Sequence, residues 1–169
     1  MNYPCTLILG SNGQDGSLLC QSLLKKNQKV VGTSRFCRQP KTNLKKLNIE
    51  KDVEHVQLNL TNQLELEKVI QHYQPNIIYN LSAQSSVGLS FNQPQETFLS
   101  ISYATQNLLE VCRKIDFKGT IFFAGSSEMY GNSKKRINLE DPKCPSSPYA
   151  IAKLNSFNIV KMYRTLFNI

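Results

Sequence analysis

The stretch Thr6-Leu7-Ile8-Leu9-Gly10-Ser11-Asn12-Gly13-Gln14-Asp15-Gly16 constrains this chain more than any other. Four apolar or β-branched residues run directly into three glycines spaced three apart. The run predicts a buried strand, a tight turn and the first turn of a helix. Gly10 lets the chain reverse, Gly13 lets a pyrophosphate approach the backbone, and Gly16 lets the helix pack closely on the strand. A helix that starts there offers unpaired N–H groups and the positive end of its dipole to an anion. Ordinary turns also recruit glycine, so the flanking residues decide whether the pattern has this meaning.

Leu18, Leu19, Leu23 and Leu24 follow at helical spacing, and Lys25 and Lys26 suit the C-terminal end of that helix. Residues 29–35 predict a second short strand. Residues 6–35 therefore read as strand, glycine turn, helix and strand, the context in which such glycines bind a dinucleotide. An acid at the end of the second strand would accept from ribose hydroxyls. This chain has Thr33, Ser34 and Arg35 instead. A guanidinium with two hydroxyls suits a 2′-phosphate, which favours NADP over NAD.

Residues 36–52 are polar and predict an irregular loop with a short helical turn. Alternation over 56–60 predicts a third strand. Thr61 is expected to cap a helix whose face is Leu64, Leu66, Val69, Ile70 and Tyr73, with Pro75 stopping it. Residues 76–81 predict a buried fourth strand that ends in a polar loop from Ser82 to Val87, at the sheet edge where open α/β folds bind ligands. One long helix is expected over 94–115, with Phe98, Ile101, Leu108, Leu109, Val111 and Cys112 among its apolar positions. Gly119 opens a fifth strand over 120–125, and the last helix runs from Tyr149 to about Phe167. The alternation predicts an α/β fold, a Rossmann-like doubly wound parallel sheet, as one domain over residues 1–169.

Tyr149 and Lys153 stand four apart, one turn along one helix face. A lysine beside a phenol favours the phenolate, and a tyrosine so tuned can exchange a proton with a hydroxyl or carbonyl. Ser126, after the fifth strand, could hydrogen-bond the same substrate oxygen. Glu128, in the same loop, could move a proton at a carbon next to a carbonyl. Each has a plainer reading on its own: a surface lysine beside a packing tyrosine, turn serines, a solvent-facing glutamate.

Composition mainly excludes. Cys5, Cys20, Cys37, Cys112 and Cys144 are scattered, without CxxC or Cys/His spacing, which argues against a metal site or a disulfide framework. Cys20 and Cys112 read as small buried hydrophobes. The net charge of +8 is dispersed. Lys25-Lys26, Lys45-Lys46 and Lys134-Lys135-Arg136 lack interleaved aromatics, so a solvated surface or an anionic nucleotide ligand fits better than nucleic acid. No run approaches the ~20 apolar residues of a membrane span. Met1-Asn2-Tyr3-Pro4 has no basic leader, and a cytoplasmic protein without a membrane partner is expected.

Four motifs occur in order: residues 10–16, Asn80-Leu81-Ser82-Ala83-Gln84-Ser85-Ser86-Val87, Ser126-Ser127-Glu128-Met129-Tyr130-Gly131, and Ser147-Pro148-Tyr149-Ala150-Ile151-Ala152-Lys153. Together they resemble the extended short-chain dehydrogenase/reductases, and within them the GDP-mannose 4,6-dehydratases, over essentially the whole chain. Gln14-Asp15, Ala83-Gln84-Ser85 and Ser127-Glu128 carry the narrower likeness. The resemblance implies NADP held by Gly10, Asn12, Gly13, Gln14, Asp15, Gly16, Arg35, Asn59, Leu60, Leu81, Ala83, Ser85, Tyr149 and Lys153. It implies Tyr149 as base at the C4 hydroxyl of GDP-mannose, with Lys153 holding the cofactor ribose and tuning Tyr149. Glu128 would take the C5 proton and assist loss of the C6 hydroxyl as water, which makes the activity a lyase. Ser126 stands where the family commonly has threonine. Asn59 replaces an aspartate that faces the adenine, Ser82 a glycine near the nicotinamide, and Ser86 a histidine beside the substrate.

Members of the family continue into another strand and a substrate domain. The resemblance therefore implies the N-terminal half only, truncated before that domain, with the fifth strand left as an open edge. It also implies a homo-oligomer, at full length, through the helices corresponding to 94–115 and 149–167. Two other functions stay open: an epimerase or reductase of the same superfamily, and a non-catalytic NADP-binding module.

Overall fold

Five parallel strands form the sheet: β1 (Cys5–Leu9), β2 (Lys29–Ser34), β3 (Glu54–Gln57), β4 (Ile77–Asn80) and β5 (Thr120–Phe123). They are arranged β3-β2-β1-β4-β5. The coordinates are a computed structural model that describes residues 4–35, 42–133 and 135–169. Met1, Asn2, Tyr3 and Lys134, as well as residues 36–41 of the loop expected after Arg35, Cys37 among them, lie outside the described residues. The chain winds outward from β1 to β3, then crosses back to place β4 on the other side of β1. Connections leave β1 and β4 in opposite directions, which opens a crevice at their carboxyl ends.

Seven α-helices flank this sheet among the described residues: α1 (Gln14–Leu24), α2 (Thr42–Lys46), α3 (Gln63–Tyr73), α4 (Val87–Asn92), α5 (Pro94–Phe98), α6 (Ala104–Lys114) and α7 (Pro148–Phe167). Strand β1 is buried at every position, and its side chains alternate between two cores. Leu7 and Leu9 join Val31, Leu66, Ile70, Ile78, Leu108 and Val111 on the α3/α6 side. Ile8 joins Cys20, Leu23, Val30 and Leu44 on the α1/α2 side. Both faces of the sheet are thus covered, as the doubly wound reading requires. Cys20 and Cys112 are fully buried, and burial pushes both thiols up to about 12.

Several elements differ from the sequence expectation. The third strand ends at Gln57, not at residue 60. The alternation there records burial of Leu58 and Leu60 in the loop that follows. Asn62, not Thr61, caps α3: its Oδ1 accepts from the Leu64 and Glu65 amides at 3.1 and 3.3 Å. The Thr61 hydroxyl instead donates to Asn59 Oδ1 at 2.9 Å. Leu64 and Leu18, placed on core faces by spacing, are 68% and 49% exposed.

The helix expected over 94–115 is not uniform. A π-helical turn, Leu99–Tyr103, separates α5 from α6. Helix α4 before it carries no periodic sequence signal, because Leu89 and Phe91 are exposed and no buried apolar stripe marks it. Strand β5 lies at the sheet edge, as expected, and ends at Phe123 rather than at residue 125.

If Asn62 is the cap, Asn62→Ala lowers stability by about 1 kcal/mol. Thr61→Ala costs less, and urea unfolding of the two variants separates the assignments.

Candidate active site

The glycine turn is built from close backbone contacts. Gly10 has φ +89°, and a Cβ there would stand 2.9 Å from Ser82 Cα and N. A Cβ on Gly16 would collide with the Gly10 carbonyl oxygen. The Gly10 and Ser11 amides donate to the Thr33 carbonyl at 3.1 and 3.2 Å, which ties the turn to the end of β2. Gly32, not singled out in the sequence, contributes too: a Cβ there would lie 2.7 Å from the Ser11 Cβ. A glycine inside a strand was its signal.

Gly13 is the exposed N-cap of α1, so the amides of the first helical turn begin without intrahelical partners. Beside them, the Asn12 side chain buries Nδ2 and Oδ1 with no hydrogen-bond partner. Orphaned donors and acceptors of this kind call for a ligand group. A turn with open amides and an unsatisfied carboxamide fits a phosphate-bearing cofactor.

A cavity of about 520 Å³ opens at the carboxyl ends of β1 to β4. Gly10, Arg35, Asn59, Leu60 and Ala83, all expected at the cofactor, line it together. Gln14, Asp15 and Gly16, in the first turn of α1, lie outside that lining, as do Asn12 and the N-cap Gly13. Leu81 packs against the α1/α2 core, and Ser85 is exposed in the loop. Asn59 Oδ1 accepts from both the amide and the hydroxyl of Thr61, at 3.1 and 2.9 Å. An adenine amino group would therefore compete with Thr61 for that oxygen. The Arg35 guanidinium pairs with Glu96 from α5.

Two buried amides hold the cavity walls and were not among the expected site residues. Asn107 Nδ2 donates to the Leu60 and Thr61 carbonyls at 3.2 and 3.1 Å, which fastens that wall to α6. Gln84 Nε2 donates to the Ser86 carbonyl and to Thr97 Oγ1, at 2.9 and 3.3 Å. Gln84 lay within a recognised motif, whereas Asn107 gave no local signal, because its partners lie more than forty residues away.

Helix α7 starts at the Ser147 cap, whose Oγ accepts from the Ala150 amide at 3.1 Å, with Pro148 in the first helical turn. Tyr149 and Lys153 are both nine-tenths buried. Tyr149 packs with Ile101 and Ala152, with Ala83 and Val87 at the rim. Lys153 Nζ donates to the Ala124 carbonyl at 3.0 Å and lies 5.8 Å from the centre of the Tyr149 ring. Ser126 follows Ala124 by two residues. It caps the 3₁₀ turn Ser127–Tyr130, its Oγ accepting from the Glu128 amide at 3.2 Å. The Glu128 side chain is exposed. Lys153 thus joins the start of α7 to the end of β5. Ser102 of the π-helical turn also holds α7, donating to the Ala152 carbonyl at 3.0 Å.

Among the described residues, no three His, Cys, Asp or Glu side chains stand close enough to hold a metal ion, and no helix is long and apolar enough to cross a membrane.

Burial holds the Lys153 ammonium below the usual lysine range. An unfolded lysine keeps its proton to about pH 10.4. In the alkaline window below that value the unfolded state binds more protons, so this group's contribution to stability rises as pH climbs. The stability difference between wild type and Lys153→Met accordingly shifts toward wild type across that window, as urea unfolding at several pH values will register.

Comparison with known proteins gives this geometry a context. The family model described as GDP-mannose 4,6 dehydratase matches residues 7–169. The GDP-mannose 4,6-dehydratase of Vibrio cholerae serotype O1 is 37% identical, covering 100% of this chain and 48% of its own length. GDP-mannose 4,6 dehydratase 2 of Arabidopsis thaliana is 34% identical, covering 96% of this chain and 47% of its own length. Among solved structures, a UDP-glucuronic acid 4-epimerase from Bacillus cereus, in complex with UDP-glucuronic acid and NAD, superposes with a TM-score of 0.84. It is 28% identical and matches 98% of this chain and 54% of its own. The chain spans about half the length of the curated relatives it matches. Over its length, it belongs to the GDP-mannose 4,6-dehydratase family.

Proposed function

We propose that these residues form the cofactor-binding and catalytic part of an NADP-dependent lyase that converts GDP-mannose to GDP-4-keto-6-deoxymannose. The observation that carries the reading is the buried Tyr149–Lys153 pair, linked through Ala124 to the Ser126–Glu128 turn in a chain of this family. Residues 1–169 would be the Rossmann domain of the enzyme. Contacts to the nucleotide sugar would come from a substrate domain outside these residues, in a cytoplasmic homo-oligomer.

The glycine turn, Asn12 and the walls formed by Arg35, Asn59, Leu60 and Ala83 would hold the dinucleotide, with Leu81 and Ser85 contributing from the β4 loop. Bound NADP would supply the oxidant needed at the sugar C4 and the matching reductant at C6. Tyr149 then takes the proton of the C4 hydroxyl. Lys153 stabilises the phenolate and orients the ribose beside it. Ser126 donates a hydrogen bond to the same oxygen once its carbonyl forms. With a ketone at C4, the C5 proton is acidified. Glu128 removes it and passes a proton to the departing C6 hydroxyl, which leaves as water, and the proton held by Tyr149 would complete C5 as the reductant is used at C6. The carboxylate separates this reading from an epimerase, which has no elimination to promote at C5.

The test is incubation with NADP⁺ and GDP-mannose, followed by mass spectrometry for loss of water. Product from residues 1–169 alone eliminates the non-catalytic alternative, and a requirement for a longer chain places the sugar contacts outside these residues. In whichever form is active, Tyr149→Phe lowers the rate by about 10²–10⁴-fold. Glu128→Gln still oxidises C4, seen as reduced nicotinamide absorbance, but eliminates no water. Unchanged turnover in both variants overturns the proposal.

A further inference from the structure

Arg35 does not stand alone at the mouth of the cavity. Its guanidinium pairs with the carboxylate of Glu96, sixty-one residues along the chain, and both side chains line the same space. A second carboxylate on that wall, Glu65, is engaged locally: its Oε1 accepts from the Asn62 side chain at 2.8 Å. Glu96 instead pairs with the cation.

Its position is set by the fold. Ser100 Oγ donates to the Glu96 carbonyl at 2.7 Å and accepts from the Gln84 amide at 3.3 Å. The neighbouring Thr97 accepts from Gln84 Nε2. The β4 loop therefore fixes α5, and α5 presents Glu96 to the end of β2. Sites that bind an unphosphorylated ribose usually draw an acid from the end of that strand. This chain lacks one there but brings a carboxylate to the same cavity from α5.

We infer that Glu96 sets how strongly the site prefers a 2′-phosphorylated dinucleotide. The inference rests on the proposed reading of Arg35 as the 2′-phosphate contact. A 2′-phosphate must take the guanidinium from Glu96 and accept a second negative charge nearby. A 2′-hydroxyl does neither. Glu96 thus narrows the margin of NADP over NAD that Arg35 alone would create.

Titration of the chain with NADPH and NADH, followed by nicotinamide fluorescence or calorimetry, tests this without turnover. Glu96→Gln tightens NADPH about two- to fivefold, the range of an exposed ion pair, and leaves NADH within about twofold. The gain shrinks when Arg35→Ala is combined with it, because only the relief of charge repulsion is left. If Arg35→Ala weakens NADPH selectively while Glu96→Gln moves neither cofactor, or both alike, the role of Glu96 is overturned and that of Arg35 stands. If Arg35→Ala weakens both cofactors equally, the reading of Arg35 fails and the inference falls with it. Both side chains are about half exposed, 51% and 44%, so neither substitution disturbs the core.

Discussion

The contact of three backbones at the β1/β4 crevice is the constraint on which the rest of the architecture depends. The Gly10 turn lies against Ser82 on one side and against the first turn of α1 on the other, with no room for a Cβ at Gly10 or Gly16. The Thr33 carbonyl accepts both amides at the start of the turn. Ends of three neighbouring strands are thereby fixed relative to one helix N-terminus. The cavity above them has its floor before any side chain contributes. A larger residue at either glycine would displace strands as well as close a site, because the partners are main-chain atoms that cannot rotate away.

Above that floor, buried polar side chains do the positioning. Asn107, Gln84 and Ser102 each reach from one element to the backbone or a hydroxyl of another. Such groups are stabilising only when satisfied, and losing one partner exposes the cost of burying the other, about 1–3 kcal/mol. Cavity walls held this way keep their shape without the thick apolar packing found beneath the sheet. The same logic applies to Lys153. Its ammonium is buried, and the Ala124 carbonyl and the Phe123 and Tyr149 rings stand in for the water it has lost.

What the sequence made legible follows periodicity and local chemistry. The strand–glycine–helix–strand unit, the parallel sheet and the pairing of Tyr149 with Lys153 on one helix all arise from residues close in the chain. The misses have a common physical origin. Thr61 and Asn62 both have capping side chains, and the choice between them depended on Asn59 drawing the threonine hydroxyl away. Helix α4 shows its apolar residues to solvent, against the pattern that identifies a helix. Asn107 and Glu96 act on partners more than forty residues distant, which no local spacing records. Arg35 was visible as a cation at the end of a strand; the carboxylate that neutralises it was not.

The π-helical turn at Leu99–Tyr103 lets one continuous helical rod serve two masters. Each residue of an α-helix advances the azimuth by about 100°, and a π turn adds a residue without adding a regular step. The phase of everything before it is offset from everything after it. Past the offset, Leu108 and Val111 face the sheet. Before it, Glu96 faces the cavity mouth instead of following their stripe. Length in this segment is therefore information. Removing a single residue between 99 and 103 would leave composition and helicity nearly intact, yet it would turn α5 out of register with the site while α6 stayed in the core.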